Sequence, residues 1–339
     1  MVGLRDVAAR AGVSLMTVSN VVNERRGRVS QETYESVQRA IRELDYVPNA
    51  QARSLSAGRT GLIGMVMRRP PETDANLRNP HDALLIGTIE QEISSAGLSF
   101  VFSAHDDVVS AAREMSMWRI DGMLVYGSVA DEVDTLTRRA GKPIVFIDNY
   151  SPEESVEIVG VDDHAGGVLL GRHLADQGHA SVLFAGPQHQ GGGVVDRRLS
   201  GLQDGLAEAG GQGATVSVID VGSGTAAAGE VVARVRAADG AFTAVVAHGD
   251  LLGVPLVPAL VDAGFSVPGD VAVASFDDGE ACTWVRPQLT SVRQDVEQKG
   301  RVAVRRLREL IESPAAGALR GPERLSVTLQ VRASTVRTA

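Results

Sequence analysis

The first 46 residues show apolar positions at helical spacing. Apolar side chains recur at intervals of three and four over residues 4–11, which predicts a short helix. Gly12 follows where a helix commonly ends in the left-handed conformation. Ser14 is a helix-capping residue and predicts a second helix that reaches about residue 23. Ser30 similarly predicts the start of a third helix, so the segment reads as three short helices.

From residue 62 onward, short apolar runs alternate with helical segments. The predicted strands cover residues 62–67, 100–103, 122–126, 144–148, 158–161, 182–185, 216–220, 244–247 and 271–276. The predicted helices cover residues 83–96, 108–118, 132–140, 165–177, 199–209, 226–238 and 251–263. Alternation with short connections predicts two doubly wound parallel α/β halves. Alternating apolar positions near residues 327–331 predict one more strand.

Length and charge add to this picture. A chain of 339 residues corresponds to two or three domains at about 150 residues each. Residues 1–60 contain nine arginines and six acidic residues, whereas the whole chain has a net charge of −9. A basic amino-terminal module on an acidic body suits a polyanionic partner at one end.

Composition also excludes several classes of protein. No apolar run approaches the roughly 20 residues of a membrane helix, and the first residues lack a signal-peptide pattern, so we expect a cytoplasmic protein. Cys282 is the single cysteine and cannot form an internal disulfide or a thiolate metal site. The seven histidines lack metal spacing, and no nucleophile elbow is present. The Gly-rich segment 188–193 lacks the ending of a phosphate-binding loop. We therefore expect no catalysis, metal or cofactor.

Two helices around a glycine turn are typical of a helix-turn-helix unit, although a plain three-helix bundle shows the same pattern. The motifs decide between them. Residues 6–23 (DVAARAGVSLMTVSNVVN) and 44–55 (LDYVPNAQARSL) resemble the headpiece of the lactose-repressor (LacI/GalR) family of bacterial transcription regulators. The resemblance implies a helix-turn-helix headpiece over residues 1–47, a hinge helix and linker over 48–61, and an effector-binding and dimerisation domain over 62–339.

The same resemblance implies the fold of the large domain. It is expected to be periplasmic-binding-protein-like, type I, with two subdomains joined by several chain crossings. We expect these crossings near residues 160–163, 288–293 and 320–325.

The resemblance also assigns DNA contacts. It implies base contacts by Leu15, Met16 and Asn20, phosphate or base contacts by Thr17 and Ser19, and a backbone contact by Asn23. The alternative for the first two is a place in the core, but they lie off the stripe that the valines of the second helix form. An asparagine amide suits the edge of adenine, whereas relatives often carry a longer donor at that position.

Residues 48–56 resemble the hinge helix of the family. Two turns are unstable alone in water, so we expect this helix to fold on specific DNA. The resemblance places Ala52 in this helix at the DNA and implies that Leu55 wedges into the minor groove. The alternative is that Leu55 packs against the effector domain.

Ligands of open parallel sheets bind at the carboxyl ends of the strands. Strand ends give Asp106, Asp148, His248, Asp250 and Asp277 as candidate effector contacts. The family resemblance adds His81, Asp82 and Arg198, and it also covers Asp250 and Asp277. Asp106 and Asp148 could instead only cap helices or turns. An arginine opposite a carboxylate can hold vicinal hydroxyl groups, which favours a sugar-like ligand.

Two departures from the family pattern affect the ligand site. Residues 222–225 are small where relatives carry an aromatic platform, and the loop over residues 68–74 is unusually charged. Trp284 could supply the missing ring, or it could belong to the core of its subdomain.

The sequence thus predicts a ligand-responsive regulator, a repressor that binds a pseudo-palindromic double-stranded operator as a homodimer. Its effector is expected to be a sugar or a sugar derivative. A transport-type sugar-binding protein would share the large domain but not residues 1–56. A purely architectural DNA-binding role would leave that domain unexplained.

Overall fold

The chain divides into two compact units, Met1–Gly61 and Leu62–Ala339. The computed structural model describes residues 2–22, 26–46, 59–69, 77–152, 156–188, 192–210, 213–312 and 320–336. The predicted hinge helix, together with Asn23, Ala52 and Leu55, lies outside these ranges. The predictions made for those three residues therefore stay predictions.

Three α-helices lie within the described residues of the first unit. They are α1 (Leu4–Ala11), α2 (Leu15–Val22) and α3 (Gln31–Glu43). The predicted punctuation is confirmed, because Gly12 is left-handed at the end of α1 and the Ser14 hydroxyl accepts the backbone N–H of Thr17. Ser30 caps α3 in the same way. The helices enclose a small core of Val7, Ala8, Val18, Val21, Val37, Ala40 and Tyr46.

The second unit begins with a six-stranded parallel sheet. Its strands are β1 (Leu62–Arg68), β2 (Ser99–His105), β3 (Gly122–Tyr126), β4 (Ile144–Ile147), β5 (Glu157–Val161) and β11 (Pro322–Leu325). Their order is β11-β5-β4-β3-β1-β2. The helices on this sheet are α4 (Pro80–Ser95), α5 (Val108–Met117), α6 (Ala130–Ala140) and α11 (Val296–Glu312). Both faces are buried, which accounts for the almost continuous apolar character of the strands.

The second sheet repeats this arrangement. Its strands are β6 (Ser181–Gly186), β7 (Thr215–Asp220), β8 (Ala244–Ala247), β9 (Ala272–Asp277), β10 (Thr290–Arg293) and β12 (Thr328–Gln330). Their order is β12-β10-β9-β8-β6-β7, and β12 alone runs antiparallel to its neighbour within the described sheet. The associated helices are α7 (Asp163–Asp176), α8 (Val194–Gly210), α9 (Gly224–Ala237) and α10 (Asp250–Asp262).

The chain passes between the sheets at three places. It crosses between β5 and α7, between β10 and α11, and between β11 and β12. The first crossing lies where the sequence predicts it, and the other two lie a few residues further along. Three elements, α11, β10 and β11, were not predicted, because charged and polar residues interrupt their apolar patterns.

The strand order reverses at corresponding positions in the two sheets. In the first sheet the strand order reverses between β1 and β3, and in the second it reverses between β6 and β8. Ligand sites of such sheets lie at the carboxyl ends of the strands near this reversal. No helix within the described ranges is long and apolar enough to cross a membrane.

Candidate ligand site and nucleic-acid interface

Arg198 lies in the second turn of α8, where its guanidinium is surrounded by fixed acceptors. Nε donates to Asp163 Oδ1 over 2.7 Å, and Nη1 donates to the carbonyl oxygen of His248 over 2.5 Å. Nη2 donates to Asp277 Oδ1 over 3.3 Å, and the group stacks on the ring of Phe276 at 4.6 Å. Burial alone lowers the pKa of Arg198, but the two carboxylates outweigh it and raise that pKa. Arg198 is therefore a permanently charged and immobilised group.

Close packing of α7 against α8 sets the position of Arg198. A Cβ on Gly167 would lie 2.4 Å from the carbonyl oxygen of Arg198, and a Cβ on Gly201 would lie 2.0 Å from the carbonyl oxygen of His164. Gly171 and Gly205 are packed equally closely one turn further along. Only glycine permits this backbone approach, which brings Asp163 of α7 to the guanidinium.

Gly201→Ala is expected to lower the free energy of unfolding by about 1–3 kcal/mol, because the added methyl group must push the two helices apart. The measurement is urea unfolding of the full chain. The matched control is Gly229→Ala in the middle of α9, where a Cβ meets no atom of the described residues within 4 Å. That substitution is expected to stabilise the protein by about 0.5–1 kcal/mol. Equal effects at both sites would contradict the packing argument.

Asp277 ends strand β9 with a positive φ of 106°, a conformation that non-glycine residues rarely adopt. Its Oδ1 atom accepts from Gln294 Nε2 over 2.6 Å as well as from Arg198. Burial raises the pKa of Asp277, but the charge of Arg198 opposes burial and the net shift is downward. The carboxylate is thus ionised where the carboxyl ends of the strands meet.

The first sheet contributes a second set of polar groups through α4. Asn79 caps this helix by accepting the N–H of His81, and Pro80 occupies the first helical position. The neighbouring Asp82 accepts a hydrogen bond of 2.8 Å from the hydroxyl of Tyr126. Burial raises the pKa of Asp82 to about 6, whereas burial and the charge of Lys299 lower the pKa of His81 to about 4.

Lys299 of α11 joins this set and was not predicted. Its ammonium donates to Asp148 Oδ2 over 2.5 Å and to His81 Nε2 over 3.3 Å. Across the sheets, His81 Nδ1 lies 3.8 Å from Asp277 Oδ1. We name Arg198, Asp277, His81, Asp148 and Lys299 the central cluster. A recognisable signal existed, since Lys299 interrupts an apolar stripe of three- and four-residue spacing, but it is visible only once α11 is known to be a helix.

The other predicted effector residues lie outside the central cluster or contact it only through the backbone. His248 gives its carbonyl oxygen to Arg198, while its Nε2 atom is 2.9 Å from Ser223 Oγ. Asp250 accepts from the N–H of Gly279 and from serine hydroxyls of β9 and β10, so its position is explained without a ligand. Asp106 is exposed.

Position resolves the alternative for Trp284 and the helix-capping part of the alternative for Asp106. The residue that caps α5 is Asp107, whose carboxylate accepts the N–H of Ser110, so Asp106 does not cap that helix. Trp284 is 68% exposed, so the alternative that it belongs to the core is wrong. The ligand contacts assigned to Asp106 and Trp284 stay predictions.

Helix α2 presents a mixed surface. Leu15 and Met16 are exposed, the latter by 71%, so the alternative that they belong to the core is wrong. Thr17 and Ser19 are half-buried, and Thr17 Oγ1 lies 2.9 Å from Ser14 Oγ. Asn20 is only 8% exposed, so its amide does not stand on the open surface of this unit. Base contact by Asn20 therefore stays a prediction.

A three-helix unit with a helix-turn-helix and a two-sheet domain with polar groups at its strand ends define a DNA-binding regulator that responds to a small molecule. Known proteins agree with this class. Residues 3–49 match the family described as bacterial regulatory proteins, lacI family, and residues 172–335 match the periplasmic binding protein-like domain.

Full-length relatives show the same two-part organisation. The chain is 33% identical over 317 residues to the HTH-type transcriptional regulator CelR of Thermobifida fusca, which covers 90% of each chain. A structure described as the lac repressor dimer bound to operator and the anti-inducer ONPF superposes with a TM-score of 0.85 at 26% identity, covering 99% of each chain. A transcriptional regulator CelR–cellobiose complex superposes with a TM-score of 0.71 at 28% identity, covering 98% of this chain and 100% of that one.

The chain belongs to the lacI family of bacterial regulatory proteins. It is a ligand-responsive, sequence-specific DNA-binding transcription regulator, and the resemblance seen in its sequence is confirmed. The predicted fold is confirmed as well, with its helix-turn-helix headpiece and two-subdomain periplasmic-binding-protein-like domain.

Proposed function

We propose that this chain is a cytoplasmic repressor whose affinity for a double-stranded operator is controlled by a sugar or a sugar derivative bound at the central cluster. It has no catalytic role and no resident cofactor. The observation that carries the proposal is the position of Arg198 and Asp277 of the second sheet opposite His81 of the first. A ligand that touches both sets of residues couples its own binding to the relative position of the two sheets.

The chemistry of the central cluster supports a polyhydroxylated ligand. Its carboxylates accept hydrogen bonds from hydroxyl groups, and its arginine and histidine nitrogens can donate to the same kind of group. The similar structure described as a transcriptional regulator CelR–cellobiose complex supports this ligand class. On the DNA side, two headpieces must reach two half-sites, so the protein acts as a homodimer on a pseudo-palindromic operator. The exposed Leu15 and Met16 lie at the start of α2, where a recognition helix meets base edges.

The proposal is tested by titration of operator-bound protein with effector. An operator is first selected from random DNA, and the effector is found by a thermal-shift screen of sugars, sugar phosphates and nucleosides. Asp277→Asn is then expected to require about 30- to 150-fold more effector for operator release, because an ionised acceptor is lost. Operator affinity without effector is expected to stay unchanged, since the helix-turn-helix is unaltered.

The matched control is Asp262→Asn, which removes an exposed carboxylate at the end of α10. It is expected to respond like the wild type. A screen in which no sugar or sugar derivative stabilises the protein would contradict the ligand assignment. A normal response of Asp277→Asn would remove Asp277 from the ligand site.

A further inference from the structure

Lys299 is a buried cation that the family resemblance did not assign. Its side chain is 0% exposed, on the face of α11 that also buries Val296, Gly300 and Ala303. Lysine is almost never fully buried without a partner, because removal of the ammonium from water carries a large free-energy cost. The contacts of the Lys299 ammonium therefore indicate the role of this side chain.

All three N–H groups of the ammonium face acceptors of the protein. Besides Asp148 Oδ2 at 2.5 Å and His81 Nε2 at 3.3 Å, Nζ lies 3.5 Å from Gln294 Oε1. An ammonium group has three donors and no acceptor, so these contacts use its full capacity. Lys299 therefore affects ligand binding through the side chains to which its ammonium donates.

The first of these groups is His81. Because an ammonium only donates, Nε2 of His81 is the acceptor and its ring proton resides on Nδ1. Burial, together with the charge of Lys299, lowers the pKa of His81 to about 4, so the ring is neutral near pH 7. Nδ1 is buried and has no hydrogen-bond partner among the described residues. Lys299 thus fixes His81 as an unpaired N–H donor.

The second group is Asp148. Its Oδ2 atom is occupied by Lys299, whereas Oδ1 is buried and has no hydrogen-bond partner within the described ranges. Gly160 of β5 packs closely against this edge of Asp148, since a Cβ there would lie 3.1 Å from Oδ1 and 2.6 Å from Arg324 Nη1. Arg324 Nη1 is likewise buried and unpaired among the residues described. Asp148 therefore offers one free acceptor with a free donor beside it.

We propose that Lys299 is a specificity-determining residue: its ammonium fills the cation position on Asp148, so that the site takes neutral hydroxyl-bearing ligands and excludes amines. A hydroxyl group of the ligand can donate to Asp148 Oδ1, and a hydroxyl oxygen of the ligand can accept from His81 Nδ1. A ligand ammonium at Asp148 would meet a second positive charge beside buried side chains, where repulsion is strong. This inference rests on the proposed function only in taking the central cluster as the ligand site.

The test removes the built-in cation and supplies it from solution. Lys299→Ala deletes a group of the size of n-propylammonium and leaves Asp148 without its cation. Thermal unfolding of the full-length variant is measured with n-propylammonium chloride and, separately, with 1-propanol, which is similar in size but uncharged. The amine is expected to raise the Tm of Lys299→Ala saturably, by roughly 2–4 °C above the effect of 1-propanol. Wild-type protein is expected to show no such difference.

Two control variants locate the effect. Lys142→Ala removes the other of the two lysines, which is exposed, and is expected to behave like the wild type. In Lys299→Ala/Asp148→Asn the response to the amine is expected to disappear, because the carboxylate that attracts the cation is gone. A folded Lys299→Ala that ignores the amine would overturn the proposal, as would an equal response in wild type or Lys142→Ala. No sugar or operator is present, so this failure is distinct from failure of the regulator proposal.

A second measurement covers the case in which Lys299→Ala does not fold. In wild-type protein labelled with ¹⁵N-lysine, the ammonium of Lys299 is expected to give a side-chain signal protected from solvent exchange. That signal is expected to keep its position when n-propylammonium is added and to shift in Asp148→Asn. An unprotected ammonium, or one displaced by the amine, would contradict the assignment.

Discussion

Replacement of Arg198 by methionine is expected to lower the free energy of unfolding by about 3–5 kcal/mol, because it leaves buried carboxylates without their cation. Asp163 is almost fully buried and accepts from Nε of Arg198, and Asp277 accepts from Nη2. The carbonyl oxygen of His248 loses its donor as well. The measurement is urea unfolding at pH 7.

Two further variants separate the buried pair from a general effect of arginine loss. Arg172→Met removes an exposed arginine of α7 that pairs with Glu208 of α8, and it is expected to cost at most about 1 kcal/mol. Asp163→Asn added to Arg198→Met is expected to recover part of the loss, since the uncompensated charge is removed. A cost for Arg198→Met no larger than that for Arg172→Met would contradict the role of the buried network.

This network shows which part of the site could be predicted from the sequence. Arg198 and Asp277 were predicted from a family motif and a strand end, and the structure brings them within hydrogen-bonding distance. Asp163, which fixes the arginine, was not predicted, because it lies between a predicted strand and a predicted helix. Its role depends on the close approach of α7 and α8, and that approach depends on glycines whose spacing has no meaning until the two helices are paired.

Lys299 is the one member of the central cluster that was not predicted, and the reason is related. The alternation of strands with helices is clear in the sequence up to β9, because strands that are buried on both faces are nearly all apolar. Helix α11 is amphipathic and highly charged, so the alternation of apolar strands with helices does not extend to it and no helix was predicted there. Lys299 belongs to that helix and pairs with Asp148, 151 residues away along the chain. The end of strand β4 can be predicted from the sequence, but the position of the Lys299 ammonium beside that end cannot.

The shifted pKa values of His81 and Asp82 lead to an expected pH dependence of the free energy of unfolding. His81 has its pKa lowered to about 4 by burial and by Lys299, whereas an unfolded histidine titrates near 6.5. Between these values the unfolded chain binds a proton at this position and the folded chain does not. Stability from His81 is therefore present above pH 6.5 and is lost as the pH falls toward 4.

Asp82 acts in the opposite direction over nearly the same interval. Burial raises its pKa to about 6, so the folded chain binds this proton before the unfolded chain does. Its protonation favours the fold as the pH falls from 6 toward 4. The wild-type profile contains both effects, and a comparison of variants is needed to separate them.

His81→Gln isolates the histidine. The wild type is expected to lose about 3 kcal/mol of stability relative to His81→Gln between pH 7 and pH 4, which follows from the shift of its pKa at 1.36 kcal/mol per unit. The measurement is urea unfolding of both proteins at half-unit pH steps. In the Asp82→Asn background the same difference is expected, because the opposing carboxyl group is removed from both proteins.

The matched control is His164→Gln, which removes an exposed histidine of α7. Its profile shows the effect of losing a histidine that is not fully buried, and the profile of His81→Gln is compared with it. If the stability profile of His81→Gln ran parallel to that of the wild type from pH 7 to pH 4, His81 would not be held neutral beside Lys299. The assignment of the ring proton of His81 to Nδ1, on which hydroxyl recognition depends, would then be wrong.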